Sequence, residues 1–181
     1  DGYFRNTRWG MTEEEVRASE STELLRRDYA DGSFSLSGVV ESLEELKGLS
    51  CKVYYFFTDQ GVLYGAQYTI PPYSSLSEHA VQEAMEKAYG LAGNLFWEGG
   101  SGTAYIAGQS ILEVLKPSSG FPVVWYCDKS YFQKKWPDVY DRLQDPGDQE
   151  IHIEGPQPVL GVSPDLSSQM VWGMSLSEVE S

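Results

Sequence analysis

Cys51-Lys-Val-Tyr-Tyr-Phe-Phe-Thr-Asp-Gln-Gly-Val-Leu-Tyr-Gly-Ala-Gln-Tyr-Thr-Ile70 reads as two strands joined by a tight turn. Aromatic and β-branched residues fill both arms, and Asp59-Gln60-Gly61 supplies the turn chemistry between them. The reading is a meander hairpin with strands over 51–58 and 62–70. A strand alternates its side chains between two faces, so Cys51, Val53, Tyr55 and Phe57 share one face of the first arm and Tyr54 and Phe56 the other. In the second arm Val62, Tyr64, Ala66, Tyr68 and Ile70 line one face. Apolar residues on both sides of the first arm predict a sheet at least partly covered on both faces.

Upstream, Trp9-Gly-Met-Thr-Glu-Glu-Glu-Val16 places Thr12 and Glu15 at the spacing of a capping box. Met11 and Val16 hold the flanking positions of a hydrophobic staple, and Glu13 and Glu14 suit the positive start of a helix. The helix that begins at Thr12 is expected to run to Arg27, with Ser19, Ser21 and Thr22 weakening or dividing its middle. An edge strand is expected over 42–46. Downstream, Pro71-Pro72 ends pairing, and Ser77 opens a helix over 77–90 whose Val81, Ala84, Met85, Ala88 and Tyr89 recur at helical spacing. The segment 94–115 is mixed: Phe96, Tyr105 and Ile106 suit strands, while Ala104, Ala107, Ile111 and Leu115 have helical spacing. A strand is expected over 121–127, and a helical segment over 130–144 with Pro137 at a break. The fold class is therefore α+β, an antiparallel meander packed against two or three helices, with a domain over 1–144. Residues 145–171 are rich in Pro, Gly and Ser and read as a connector containing a short strand at 151–153.

The opening phrase returns at Trp172-Gly-Met-Ser-Leu-Ser-Glu-Val179, again with a capping box, at Ser175 and Glu178. Residues 172–181 are read as the start of a second copy, or as a segment docked on the first domain. Trp9-Gly-Met-Thr followed by a meander resembles the repeat unit of the β-lactamase inhibitory protein family, in which such a helix entry leads into a helical pair and an antiparallel sheet, and Phe57-Thr-Asp-Gln-Gly-Val-Leu63 is similar to that family's turn with Gln60 inserted. The unit also resembles small outer-membrane-assembly lipoproteins and exported bacterial proteins that carry Trp-Gly-Met-Ser/Thr. The resemblance covers about residues 4–70 and restarts at Trp172. It implies an extracytoplasmic binding or scaffolding module, periplasmic, surface-bound or secreted, with a lipid anchor possible upstream of the given chain. It does not imply inhibition of a β-lactamase, because the inhibitor's paired cysteines are not reproduced.

The chain has 181 residues, and 27 Asp and Glu against 13 Lys and Arg give a formal charge of −14. That balance disfavours a nucleic-acid or anionic-lipid partner, and no apolar run reaches the roughly 18 residues of a spanning helix. Cys51 and Cys127 are 76 positions apart and sit in strand-like runs, so they read as buried hydrophobes ahead of a disulfide. His79 and His152, the two histidines, have no triad or zinc spacing around them. Glu98-Gly-Gly-Ser-Gly102 lacks the lysine of a phosphate loop and reads as a flexible loop. Nothing calls for a cofactor. Asp138, Asp141, Asp145, Asp148 and Glu150 carry the one metal idea, calcium, against a solvated acidic surface.

Glu98 with Glu113 is the nearest approach to a glycosidase-like carboxylate pair. The aromatic residues are more informative: Tyr54, Tyr55, Tyr64, Tyr68 and Tyr73 concentrate on the hairpin and its exit, and Trp97, Trp125, Tyr126, Tyr131, Phe132 and Trp136 form a second group. Aromatic anchors carry interface energy at low entropic cost. The expected function is a non-catalytic module that binds a protein partner through an exposed face of the hairpin, with Tyr54, Phe56 and Tyr64 as contact residues. The rival readings are a carboxylate-dependent hydrolase and a purely structural repeat.

Overall fold

The computed structural model describes residues 3–40, 50–70, 77–145 and 150–153. The order is α1 (Glu13–Ser19), β1 (Leu25–Asp28), β2 (Phe34–Val40), β3 (Cys51–Phe57), β4 (Leu63–Thr69), α2 (Glu78–Tyr89), β5 (Gly93–Trp97), β6 (Gly100–Ala107), β7 (Ser110–Pro117), β8 (Val123–Asp128), α3 (Lys129–Lys135), α4 (Pro137–Leu143) and β9 (Glu150–His152). The fold is α+β. All nine strands form one sheet in the order β1-β2-β3-β4-β8-β7-β6-β5-β9. Every neighbouring pair is antiparallel except β5 with β9.

This order divides into two like units. Each is a capped helix followed by a four-stranded meander, α1 with β1–β4 and α2 with β5–β8, and the last strands of the two meanders pair antiparallel. Such an arrangement is that of two units related by an approximate two-fold axis normal to the sheet, passing near the Gln67–Trp125 pair at the middle of the seam. Both helices then fall on the same face. Val16 of α1 and Val81 and Met85 of α2 join one core with Tyr55, Tyr68, Tyr105 and Val124. The other face carries a second core, covered by Phe132 of α3 and Leu143 after Pro137 restarts the helix.

The capping box at Thr12 forms in full: Thr12 Oγ1 accepts from the Glu15 amide, and the Glu15 carboxylate accepts from the Thr12 amide at 2.8 Å. The same phrase ties α1 to the sheet, since the Gly10 amide donates to Leu63 O and the Leu63 amide to Met11 O. Trp9 Nε1 reaches across to Ser110 Oγ at 2.9 Å, joining the first unit to β7 of the second.

The helix expected over 12–27 is half that length. It stops at Ser19, and residues 25–28 are an edge strand. Glu20 holds extended dihedrals at the stop, because its carboxylate takes two hydrogen bonds from Arg5 and one from the Tyr55 hydroxyl. A buried carboxylate with three donors outweighs the weak propensity of Ser21 and Thr22 for another turn. The segment 94–115 is a three-stranded meander, and the helical spacing there is a coincidence of two strands folded about Gly108. The glycine run expected as a loop is a tight β5–β6 turn, with Trp97 opposite Gly100. The segment expected as one broken helix is α3 and α4, and the short strand near 151–153 is β9, beside β5. The edge strand expected over 42–46, Tyr73 and the second Trp-Gly-Met copy lie outside the described residues.

One irregularity decides which side chains share a face. The register jumps from Phe56 opposite Gly65 to Phe57 opposite Leu63, so Tyr64 is the extra residue of a β-bulge. Tyr64 therefore leaves the face of Ala66 and Tyr68, where strict alternation would have put it, and joins Tyr54 and Phe56. Gly65 beside it is indispensable, because an added Cβ would sit 2.2 Å from the Trp125 ring. We expect Gly65→Ala to destabilise the fold by roughly 1–3 kcal/mol through overpacking, read as a lowered urea midpoint. An unchanged midpoint would show that the indole is not seated on this glycine.

Candidate functional site

Tyr54, Phe56 and Tyr64 come together on the second face, but they are not exposed. Their relative exposures are 7%, 2% and 7%, so the contact surface expected on the hairpin is a covered core. The reason is the layer over that face: Tyr131 of α3 stacks on Tyr64 with ring centroids 4.0 Å apart, and Trp136 at the α3–α4 junction meets Tyr131 edge-on at 6.2 Å. Beneath them Phe56 stacks with Tyr54 at 6.1 Å and meets Trp125 edge-on at 5.2 Å. What reaches solvent is the rim of this cluster, the half-buried Tyr29, Tyr131 and Trp136.

Two turns border the rim. Gly32 of the β1–β2 turn lies so close to the β3–β4 turn that a Cβ there would sit 3.3 Å from Asp59 Cβ. The exposed carboxylates Asp31 and Asp59 thus flank the tyrosines, and the Tyr29 hydroxyl is held 2.7 Å from Ser35 Oγ. Burial pushes the Tyr131 phenol up to about 12, reinforced by neighbouring Cys127, Asp31 and Asp59. Burial also raises Tyr64 and Tyr29. These phenols stay protonated near neutrality and act as hydrogen-bonding aromatic surface, not as bases or nucleophiles.

Toward the middle of the same face runs a row of paired positions across five strands: Tyr54 on β3, Gln67 on β4, Trp125 on β8, Glu113 on β7 and Ala104 on β6. Its centre is polar. Gln67, Trp125 and Glu113 are each 0% exposed, and the Gln67 amide, the Trp125 indole N–H and both Glu113 oxygens have no hydrogen-bond partner among the described residues. Burial holds the Glu113 carboxyl well above the usual carboxylate range, so it carries its proton. Cys127, two positions along β8 from Trp125, is likewise raised by burial and then by Glu113.

The other residues singled out in the sequence are placed apart from this face's centre. His79 is exposed on α2 beside Glu83, and His152 is exposed on β9, stacked on Phe96 at 5.1 Å. Asp138, Asp141 and Asp145 are exposed on and after α4, and Asp148 lies outside the described residues. No group of three potential metal ligands comes together among the described residues. Glu98 is exposed in the β5–β6 turn, whereas Glu113 is sealed in the sheet, so these two carboxyls do not face one another across a cleft. Cys51 and Cys127 are buried thiols on opposite faces of the sheet.

Sequence reasoning missed Gln67 and undervalued Glu113. A signal was present in Ile111-Leu-Glu-Val-Leu115, where one acid interrupts an apolar run with strand periodicity. No family model, curated protein or solved structure matches the chain. Among the described residues no helix is long and apolar enough to cross a membrane.

The raised Glu113 fixes the sign of a pH effect. Its contribution to stability is complete below about 4.5, where the unfolded carboxyl also holds its proton, and is lost as pH rises toward its folded value. Relative to Glu113→Gln, the wild-type chain should lose up to about 1.4 kcal/mol of stability per pH unit above that point. Urea midpoints of the two proteins measured from pH 4 to 8 check this; parallel curves would mean that Glu113 is ionised or solvated in the folded chain.

Proposed function

We propose that this chain is a non-catalytic protein-binding or scaffolding module of the bacterial cell envelope or exterior, built on a unit like that of the β-lactamase inhibitory protein. The observation that carries the reading is the aromatic rim. Tyr131 and Trp136 are half-buried and rest on a packed aromatic cluster that runs through Tyr64 to Trp125, so they offer contact area at little ordering cost. The contact residues proposed are therefore Tyr29, Tyr131 and Trp136, with Tyr54, Phe56 and Tyr64 as the support beneath them. Flanking Asp31 and Asp59 favour a partner surface that carries basic side chains.

The inhibitor-like likeness rests on the capped Trp-Gly-Met-Thr turn leading to an antiparallel meander. It is weakened at one point, because α1 is followed by β1 and not by a second helix. The hydrolase alternative needs two carboxyls of contrasted acidity facing one cleft. Glu113 instead lies within the sheet, paired with Trp125 on one side and Ala104 on the other.

The test is a quantitative capture from envelope and culture-supernatant extracts, with an equally acidic unrelated protein as control. The reading predicts one saturable protein partner whose affinity falls at least tenfold in the Tyr29→Ala, Trp136→Ala double variant, compared with wild type at a temperature where circular dichroism shows both proteins folded. Capture no stronger than the control would contradict it, as would a partner indifferent to the rim.

A further inference from the structure

Tyr64 and Tyr131 lie closer than any other pair of aromatic rings among the described residues, with centroids 4.0 Å apart and planes 21° from parallel. Aromatic pairs usually settle offset or edge-on at roughly 4.5–7 Å, as Tyr68 and Tyr126 do at 6.3 Å and 39°. The closer pair also shares a hydrogen bond between its two hydroxyls. Rings that are nearly parallel and keep their hydroxyls together overlie one another in the same sense. The carbon beside the hydroxyl of Tyr64 therefore lies against its counterpart on Tyr131. Those carbons are the positions at which two phenols join once each has lost an electron.

The setting suits that reaction. Tyr131 is half-buried at the rim, where an oxidant can reach it, whereas Tyr64 is 7% exposed and walled by Phe56 and Trp125. A radical on Tyr64 thus has Tyr131 as its stacked phenol partner and is shielded from other chains. The field of Asp31 and Asp59 reaches Tyr131 and stabilises the positive charge that builds there as an electron leaves. Tyr64 is the extra residue of the β-bulge and Tyr131 stands in the first turn of the short α3, so neither is fixed in a ladder pair that would resist the small closing movement of bond formation. The two cysteines lie on opposite faces of the sheet and supply no staple between strand and helix layer.

We infer that Tyr64 and Tyr131 are an oxidative cross-linking site, at which a one-electron oxidant of the haem-peroxidase class, fed by hydrogen peroxide, couples the two phenols and ties α3 to β4. Each phenol gives up one electron and one proton, and the two radicals pair to form one carbon–carbon bond. The hydrogen on each joined carbon then moves to the oxygen of its ring as aromaticity returns. The two electrons and two protons reduce one hydrogen peroxide to two waters, so two phenols and one peroxide become one biphenol and two waters. The linked chain carries a covalent seal, because the helical layer over the second face is held to the sheet beneath it. The site acts within one chain and does not depend on a protein partner at the rim.

The test treats the whole chain, at micromolar concentration, with a haem peroxidase and one equivalent of hydrogen peroxide. Gel mobility, biphenol fluorescence and peptide mapping read the products. The expected product is a single chain in which the peptides carrying Tyr64 and Tyr131 are linked with loss of two hydrogens, formed ahead of any link through the more exposed Tyr3 and Tyr89, and with a raised urea midpoint. Tyr131→Phe should abolish that link. Links formed only between chains, or only through Tyr3 and Tyr89, would overturn the inference, as would oxidation of Tyr131 that leaves Tyr64 unlinked. A linked chain whose urea midpoint matches that of the untreated protein would overturn the seal. These outcomes are read on the wild-type chain, so they decide the matter even if the variant does not fold.

Discussion

A sheet whose central strands are apolar on both faces has to be covered twice, and the rest of this molecule follows from that requirement. In β3 the residues Val53, Tyr55 and Phe57 belong to one core while Tyr54 and Phe56 belong to the other. Burial at about 25 cal/mol per Å2 of apolar surface makes either face, left in water, a large loss for so small a chain. The two meander units each bring a capped helix to the first face. Among the described residues, the helices that close the second face are α3 and α4, which follow the last strand of the second unit. The stretch after β8 is thus a necessary layer, and its Phe132, Tyr131 and Trp136 are the side chains that complete the core.

Joining the units through β4 and β8 brings the bulky Trp125 opposite Gln67, two pairs away from Gly65 opposite Cys127. A tryptophan at the middle of a seam fits where the neighbouring strand gives way, and the bulge at Tyr64 with a bare Gly65 does so. The same lean of the indole turns it from Glu113. Packing on one side of Trp125 and unpartnered polarity on the other are therefore one event seen from two sides. The first face shows the opposite solution to a buried carboxylate: Glu20 is satisfied by Arg5 and the Tyr55 hydroxyl. One sheet thus holds a fully engaged carboxylate on its first face and an unengaged carboxyl on its second.

Much of this architecture was legible in the sequence, because it rests on local rules. The capping box at Thr12, the start at Ser77, the break at Pro137 and the hairpin over 51–70 are all decided within a few residues, and each was readable. The length of α1 was not, since it is set by Arg5 and Tyr55 closing on Glu20 from distant positions. The facing of Tyr64 was not readable either, because a single-residue bulge reverses an alternation that sequence counts as unbroken. The returning Trp-Gly-Met phrase at 172 lies outside the described residues, whereas the second helix-plus-meander unit of the fold begins at Ser77 without that phrase. Tyr54 and Phe56 do share the face that alternation gives them, but α3 and α4, whose own face periodicity alone does not assign, cover it.

The central claim is that both faces are sealed, and the chain carries a reporter for each: Cys51 in the first core and Cys127 in the second. The measurement is the rate of iodoacetamide labelling of each thiol at pH 8, resolved by peptide mapping, in the folded chain and in urea. The account predicts that both thiols are strongly protected in the folded chain, Cys127 at least as strongly as Cys51, and that both label readily once unfolded. Rapid labelling of Cys127 under native conditions, with Cys51 still protected, would mean that α3 and α4 do not close the second face.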